Sequence, residues 1–325
     1  MSGKKLRVAL IMGGNSSERE ISLASGQEVL NHLDSDRFEP VIYDPVKDLA
    51  RLAQDAPGLD VAFLALHGPM GEDGAMQGFC EMLGLAYTGS GILSSARTLD
   101  KDVTKRMYRE SGLPVAPDLV VKKDSVSDMA DIVKTSLYSL GSPLVVKPLR
   151  QGSSVGMAIV DNEPDLARAI EAAFAIEGEV MLEKYLPGRE FTCGVVGNRK
   201  LTALPVIEII PAAGHHFFDY QAKYEPGQAQ EICPAEISTQ LAGEIQRMGL
   251  AAHEALGCRG YSRSDMIFSE GQIFLLETNT LPGLTAGSLV PKMARTQGLT
   301  FTAFLSYLID LALTSGDVDI NVYKS

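Results

Sequence analysis

Three oxygen-bearing side chains, Asp265, Glu277 and Asn279, fall within fifteen residues near the end of the chain. Two carboxylates and a carboxamide offer only hard oxygen donors, which suit Mg²⁺ held against phosphate oxygens and suit zinc poorly. The segments 264–269 and 272–277 are rich in β-formers and flank Glu270-Gly271, so they read as a hairpin. Side chains alternate faces along a strand. Glu277 and Asn279 therefore share one face, where Asp265 meets them from the neighbouring strand. A solvated hairpin with ordinary polar residues fits the same triplet.

Three loops add further chemistry. Gly13-Gly14-Asn15-Ser16-Ser17-Glu18-Arg19-Glu20 follows an apolar strand; Ser17 and Glu20 have capping-box spacing, and Ile21, Ala24 and Leu33 give the next helix an apolar face. Glu18, in the first helical turn, suits an ammonium ligand, although the helix dipole alone also favours an acid there. His67-Gly68-Pro69-Met70-Gly71-Glu72-Asp73-Gly74 is a second strand-to-helix loop, whose glycines permit close approach of backbone to a ligand. His67 would face the same crevice as Glu18, or act as a structural hydrogen-bonding group. Lys147 ends an apolar strand and precedes Gln151-Gly152-Ser153-Ser154-Val155-Gly156, a loop between two strands whose N–H groups could cradle phosphate. It lacks the GxxxxGK[ST] order and enters a strand, which excludes a P-loop. A flap over ATP and a plain hairpin turn both fit.

The elements that must position these residues fall into three stretches. Strands at 6–12, 39–44 and 60–66, separated by helical patterns, predict a parallel α/β layer ending near residue 97. Residues 100–183 read as a smaller α+β unit with strands at 119–122, 143–147, 156–160 and 179–183 and helices from Ser125 and over 164–174. The remainder is strand-rich, with a helix over 235–256 and two closing helices. Residues 211–234 form a long Gly/His/Asp/Gln/Pro loop without periodicity, the pattern of a lid. Domains of 1–97, 98–184 and 185–325 are expected.

Composition narrows the function. The chain has 325 residues, 45% of them apolar, enough for several cores. No stretch approaches a membrane span and no export signal is visible. Cys80, Cys193, Cys233 and Cys258 lack metal-ligand spacing and fit reduced thiols in a cytoplasm. A net charge of −12 argues against general nucleic-acid binding. No GxGxxG follows the first strand, which disfavours a nicotinamide-dependent oxidoreductase.

The loops at 13–22, 67–74 and 151–156, together with Leu276-Glu277-Thr278-Asn279-Thr280-Leu281-Pro282-Gly283-Leu284-Thr285, resemble the D-alanine:D-alanine ligases, which are ATP-grasp enzymes. The resemblance runs from about residue 6 to residue 312. It implies a three-domain ATP-grasp architecture, ATP between the central and C-terminal domains, and synthesis of D-alanyl-D-alanine for peptidoglycan. It also implies a cytoplasmic homodimer that uses two Mg²⁺ ions, replaceable by Mn²⁺, and binds neither nucleic acid nor membrane.

Carried over by motif, Lys101 and Lys147 match phosphate-contacting lysines. Glu183, Lys184 and Leu186 match the adenine-binding strand, and Glu190 the ribose ligand. Asp265, Glu277 and Asn279 match the two-magnesium site. Arg263 and the Gly283 N–H match the pair that stabilises developing negative charge on the first substrate. Glu18 matches the ammonium ligand and, with Ser153 and Tyr224, a hydrogen-bonded set joining domain, flap and lid. His67, Lys223, Ser288 and Leu289 line the substrate subsites in the same correspondence. Lys223-Tyr224 and Leu289 favour D-alanine over D-lactate and D-serine as second substrate.

One stretch departs from the pattern. Tyr261-Ser262-Arg263-Ser264-Asp265 puts serines where the family has a glycine and an apolar residue, which puts local packing in doubt while the Arg and Asp remain. A neighbouring ligase for another amino or hydroxy acid, or a non-catalytic nucleotide-binding protein on the same fold, would share much of this sequence.

Overall fold

A computed structural model of the chain describes residues 4–152, 155–211, 229–285, 287–314 and 316–324. Ser153, Lys223, Tyr224 and most of the expected lid lie outside the described residues.

The first sheet comes from β1 (Leu6–Ile11), α1 (Arg19–His32), β2 (Phe38–Tyr43), α2 (Pro45–Asp55), β3 (Val61–Leu64), α3 (Ala75–Met82) and β4 (Ala86–Tyr87). Its strands are parallel in the order β2-β1-β3-β4. Val8 to Ile11 and Val61 to Leu64 are wholly buried, which explains their unbroken apolar runs. Parallel strands end on one edge of the sheet, so the 13–18 and 67–74 loops emerge side by side.

Two helices, α4 (Ile92–Leu99) and α5 (Lys101–Glu110), lead to the second sheet. It is built from β5 (Asp118–Lys122), α6 (Met129–Leu140), β6 (Leu144–Pro148), β7 (Ala158–Val160), α7 (Glu163–Ile176) and β8 (Glu179–Lys184). The strands are antiparallel in the order β5-β8-β6-β7, and α6 and α7 bury Val133, Leu166 and Ile170 against them. The helix expected from Ser125 starts later. Residues 123–125 form a 3-10 turn, and Asp128 caps α6 by accepting the Ala130 N–H.

The third sheet contains β9 (Arg189–Gly197), β10 (Thr202–Ala203), β11 (Ile207–Pro211), β12 (Ala229–Ile232), β13 (Gly260–Ser269) and β14 (Gln272–Asn279), with α8 (Thr239–Ala255) packed on it. Its order is β12-β11-β9-β13-β14, with β10 beside β9. The β13–β14 turn is of the kind that matches strand twist, since Glu270 and Gly271 have φ of 50° and 82°.

Two helices close the chain, α9 (Leu289–Thr296) and α10 (Phe301–Leu313). The latter returns to the first sheet. Its Phe304, Leu305, Leu308 and Ile309 are buried in the same apolar cluster as β1 and β3, and each such side chain contributes roughly 1.5–3 kcal/mol of burial. Arg37 reaches Asp310 with two bonds of 2.8 and 2.9 Å.

Candidate active site

The three sheets meet around two adjoining cavities of about 500 and 470 Å³. Both are bordered by Lys101, Gln151, Leu276 and Glu277.

The larger lies between the second and third sheets and collects Lys147, Glu183, Lys184, Leu186, Glu190 and Asp265. The ion pair on its floor follows from strand register. Val145 on β6 pairs with Glu183 on β8, which leaves Lys147 close enough to donate to Glu183 Oε1 at 2.7 Å. Burial pushes the Glu183 carboxyl up, but Lys147 and Lys105 together outweigh it and hold the group below its ordinary range. Lys101, the first residue of α5, donates to the carbonyls of Gln151 at 2.7 Å and Leu149 at 3.3 Å, which ties it to the start of the glycine-rich loop.

The smaller cavity collects Glu18, His67, Arg263, Asn279, Gly283, Ser288 and Leu289. Glu18 is the N-cap of α1 and is buried. The capping box expected from Ser17 and Glu20 does not form: the Ser16 hydroxyl instead accepts the Glu18 N–H at 3.2 Å and donates to the His67 carbonyl at 2.7 Å, joining the two loops. The apolar face expected for α1 is also placed differently. Its buried side is Ser22, Ser25, Gly26 and Val29, small residues that let the helix approach β1 closely, with the Ser22 hydroxyl bonded to Gly13 N and Ala65 O. Leu33 is buried, whereas Ile21 and Ala24 line the cavity.

Arg19, next to Glu18, is fixed by Asp44 at 2.6 Å and by the Gly14 carbonyl at 2.6 Å. The Arg19 guanidinium holds the Asp44 carboxyl down at about 2. His67 stands between Ser25, whose Oγ lies 3.0 Å from Nε2, and Glu72, 3.7 Å from Nδ1. Ser25 also accepts the Leu284 N–H at 3.4 Å, so α1 touches the loop that carries Gly283.

Arg263 and Asp265 lie on one face of β13 and clasp each other through two bonds of 2.9 and 2.8 Å. Thr192 on β9 donates to the same carboxylate at 2.6 Å. Across the hairpin, Asp265 is registered with Glu277 and Arg263 with Asn279, with a bulge after Asp265. Asn279 Oδ1 accepts the Leu281 N–H at 2.9 Å, and Ser288 Oγ accepts the Thr285 N–H at 3.0 Å, so both side chains also shape the loop between β14 and α9.

Both serines that depart from the family pattern are buried with partners. Ser262 Oγ is 2.7 Å from His253 Nδ1, and Ser264 Oγ is 2.6 Å from Thr278 Oγ1, which also meets the Tyr108 hydroxyl at 2.6 Å. Polar satisfaction replaces apolar packing behind the strand. Sequence reasoning passed over Lys105, Asp118, Thr192, Ser25 and Glu72. Lys105 had a signal, since it shares the buried face of α5 with Tyr108, three residues on, where a lysine is unusual.

Comparison with known proteins gives one family. A family model described as the D-ala D-ala ligase C-terminus matches residues 107–310, and one described as the N-terminus matches 7–56 and 47–90. The chain is 50% identical over 313 residues to a D-alanine–D-alanine ligase of Syntrophobacter fumaroxidans, covering 96% of this chain and 99% of the relative. It is also similar to the crystal structure of D-alanine–D-alanine ligase from Bacillus anthracis, with a TM-score of 0.83, 37% identity and coverage of 95% and 97% of the two chains. The same protein complexed with ATP matches with a TM-score of 0.81 and 34% identity, with the same coverage. With that fold and that site, the chain belongs to the D-alanine–D-alanine ligase family, whose architecture is ATP-grasp.

Proposed function

We propose that the two cavities serve one reaction, the ATP-driven joining of two D-alanine molecules for peptidoglycan precursor synthesis. The observation that carries it is the shared border of the cavities, Lys101 and Glu277, between a nucleotide side with Lys147 and Lys184 and an amino-acid side with acidic Glu18 and cationic Arg263. A carboxylate does not react with amines at neutral pH. The carboxylate of the first D-alanine therefore attacks the γ-phosphorus of ATP, releasing ADP and leaving an acyl phosphate. The amine of the second D-alanine then attacks that carbonyl; phosphate leaves with the bonding pair and the amine loses a proton.

In this scheme Glu18 and His67 hold the first substrate. Arg263 and the Gly283 N–H face the charge that develops on its carboxyl, a role in which one donor is worth about 10²- to 10³-fold in rate. Lys101 and Lys147 hold phosphates, Glu183, Lys184 and Leu186 the adenine, and Glu190 the ribose. Ser288 and Leu289 border the second subsite, to which Lys223 is assigned from the sequence alone, as Ser153 and Tyr224 are assigned with Glu18 to the hydrogen-bonded set joining domain, flap and lid. Asp265, Glu277 and Asn279 form an all-oxygen donor set on two paired strands, which fits two Mg²⁺ ions or Mn²⁺ in their place. When bound, the ions neutralise charge on the transferring phosphoryl group. Asp265 is held in place for this by Arg263 and Thr192.

Domains of 1–97, 98–184 and 185–325 belong to the same proposal, supported by the three separate sheets. So do a cytoplasmic location, supported by four unpaired cysteines, and a homodimer. No helix among the described residues is long and apolar enough to cross a membrane. The test is phosphate release with ATP and D-alanine against L-alanine, with and without EDTA, and product analysis with D-serine and D-lactate added. D-Alanyl-D-alanine formed only with divalent metal is the expected result; exclusive formation of a depsipeptide or of a D-serine product would overturn the substrate assignment.

A further inference from the structure

Lys105 is wholly buried and borders neither cavity, yet it sits at the centre of the charges beneath the larger one. Its ammonium donates to the Ala116 carbonyl at 2.8 Å, pairs with Asp118 at 2.8 Å and pairs with Glu183 Oε2. Three donors meet three acceptors, so nothing remains for a ligand. Glu183 uses its other oxygen for Lys147, which does reach the cavity. Arg109, half-exposed, pairs with the same Asp118 oxygen as Lys105.

A count of charge shows what the arrangement does. Lys105, Lys147 and Arg109 bring three positive charges, and Glu183 and Asp118 bring two negative ones, leaving one positive charge in excess. Of the five, only Lys147 and Glu183 border the cavity, whose wall also carries Lys101, Lys184 and Arg189 against Glu190, Glu208, Asp265 and Glu277, so the excess of this cluster reaches a ligand through Lys147. Without Lys105, Glu183 would face Lys147 alone, and the excess near the cavity would vanish. Without the charge on Asp118, the excess would rise to two.

We propose that Lys105 is a positioning residue for the nucleotide, acting through Glu183 to keep the Lys147 ammonium available to phosphate, with Asp118 as the counterweight that limits it. The proposal rests on the assignment of ATP to the larger cavity. It makes a demand that a purely structural role for the buried cluster does not: removing Lys105 and removing the Asp118 charge move nucleotide affinity in opposite directions.

The test uses the full chain carrying Lys105→Met or Asp118→Asn, with ATP and MgCl₂ titrated by calorimetry and KM for ATP measured at saturating D-alanine. Lys105→Met is expected to raise the ATP Kd and KM about tenfold, with kcat within a few-fold and the D-alanine KM unchanged, as befits loss of one charge near a triphosphate. Asp118→Asn is expected to lower the ATP Kd a few-fold. In a Glu183→Gln background the effect of Lys105→Met should shrink to less than about threefold, because the intermediary is gone. Weaker or unchanged ATP binding in Asp118→Asn overturns the proposal, and that variant decides alone if Lys105→Met fails to fold. Unchanged ATP binding in folded Lys105→Met, or an undiminished effect in the Glu183→Gln background, also overturns it. Failure of the unaltered protein to bind ATP would instead remove the assignment of the cavity.

Discussion

His253 offers a prediction whose size follows from the structure. It is wholly buried in α8, with Nδ1 held by Ser262 and no partner for Nε2 among the described residues. Burial pushes its imidazole down from the ordinary 6.5 to about 4. The unfolded chain therefore takes up a proton near pH 6.5, whereas the folded chain resists until about pH 4. Between those values the unfolded state binds more protons, so stability falls as the pH falls; the contribution is fully present above about 6.5 and lost by about 4. At about 1.4 kcal/mol per pH unit, a gap of about 2.5 units amounts to about 3 kcal/mol, of which about 2 is gone by pH 5. That is a large part of a typical 5–15 kcal/mol. Urea titrations at pH 5 to 7 on the unaltered protein and on His253→Gln measure it directly. Glutamine keeps hydrogen-bonding capacity but does not titrate, so the variant should show a shallower loss of midpoint over this range. Equal slopes in the two proteins would refute the account of His253 as a buried neutral imidazole.

Other expected outcomes concern the site itself. Arg263→Ala should lower turnover by about 10²- to 10³-fold at saturating substrates, and near-normal rates would remove it from the reaction. Glu277→Gln should nearly abolish turnover with the far-ultraviolet circular dichroism spectrum unchanged; a normal Mg²⁺ titration of activity would contradict its place in the metal set. Asp44→Asn should loosen the Arg19 anchor beside Glu18 and raise the D-alanine KM about tenfold while sparing the ATP KM, read from steady-state kinetics. A Cβ on Gly188, at the rim of the larger cavity, would overlap the Phe268 carbonyl. Gly188→Ala should thus cost about 1–3 kcal/mol in chemical denaturation and weaken ATP binding, and an unperturbed melting temperature would show that the backbone gives way there.

Local chemistry was the legible part of the sequence. Glu270-Gly271 announced a hairpin turn and alternation placed Asp265 and Glu277 opposite each other, because register and turn type are short-range properties. Lys147 at the end of an apolar strand was readable for the same reason. The capping box at Ser17 was not, since its pattern is met equally well by Ser16 serving the joint between two loops. The apolar spacing of Ile21 and Ala24 also misled, because a helix that must approach its sheet closely buries small residues and leaves apolar ones for the crevice. Lys105, Ser25 and Thr192 act through partners 78, 259 and 73 residues away, separations that no local pattern encodes.

The return of α10 to the first sheet has a consequence for how the molecule is made. The bond from Arg37 to Asp310 spans 273 residues, and Phe304 and Leu308 roof strands translated more than two hundred residues earlier. As the chain leaves the ribosome, β3 and β4 must wait with an uncovered oily flank until the closing helix emerges. Synthesis at about 5–20 residues per second stretches that wait to tens of seconds, long enough for chaperones to find the nascent surface. Assembly of the crevice is thus coupled to translation of α10, and a message cut short before codon 301 would yield a sticky fragment rather than a weakened enzyme.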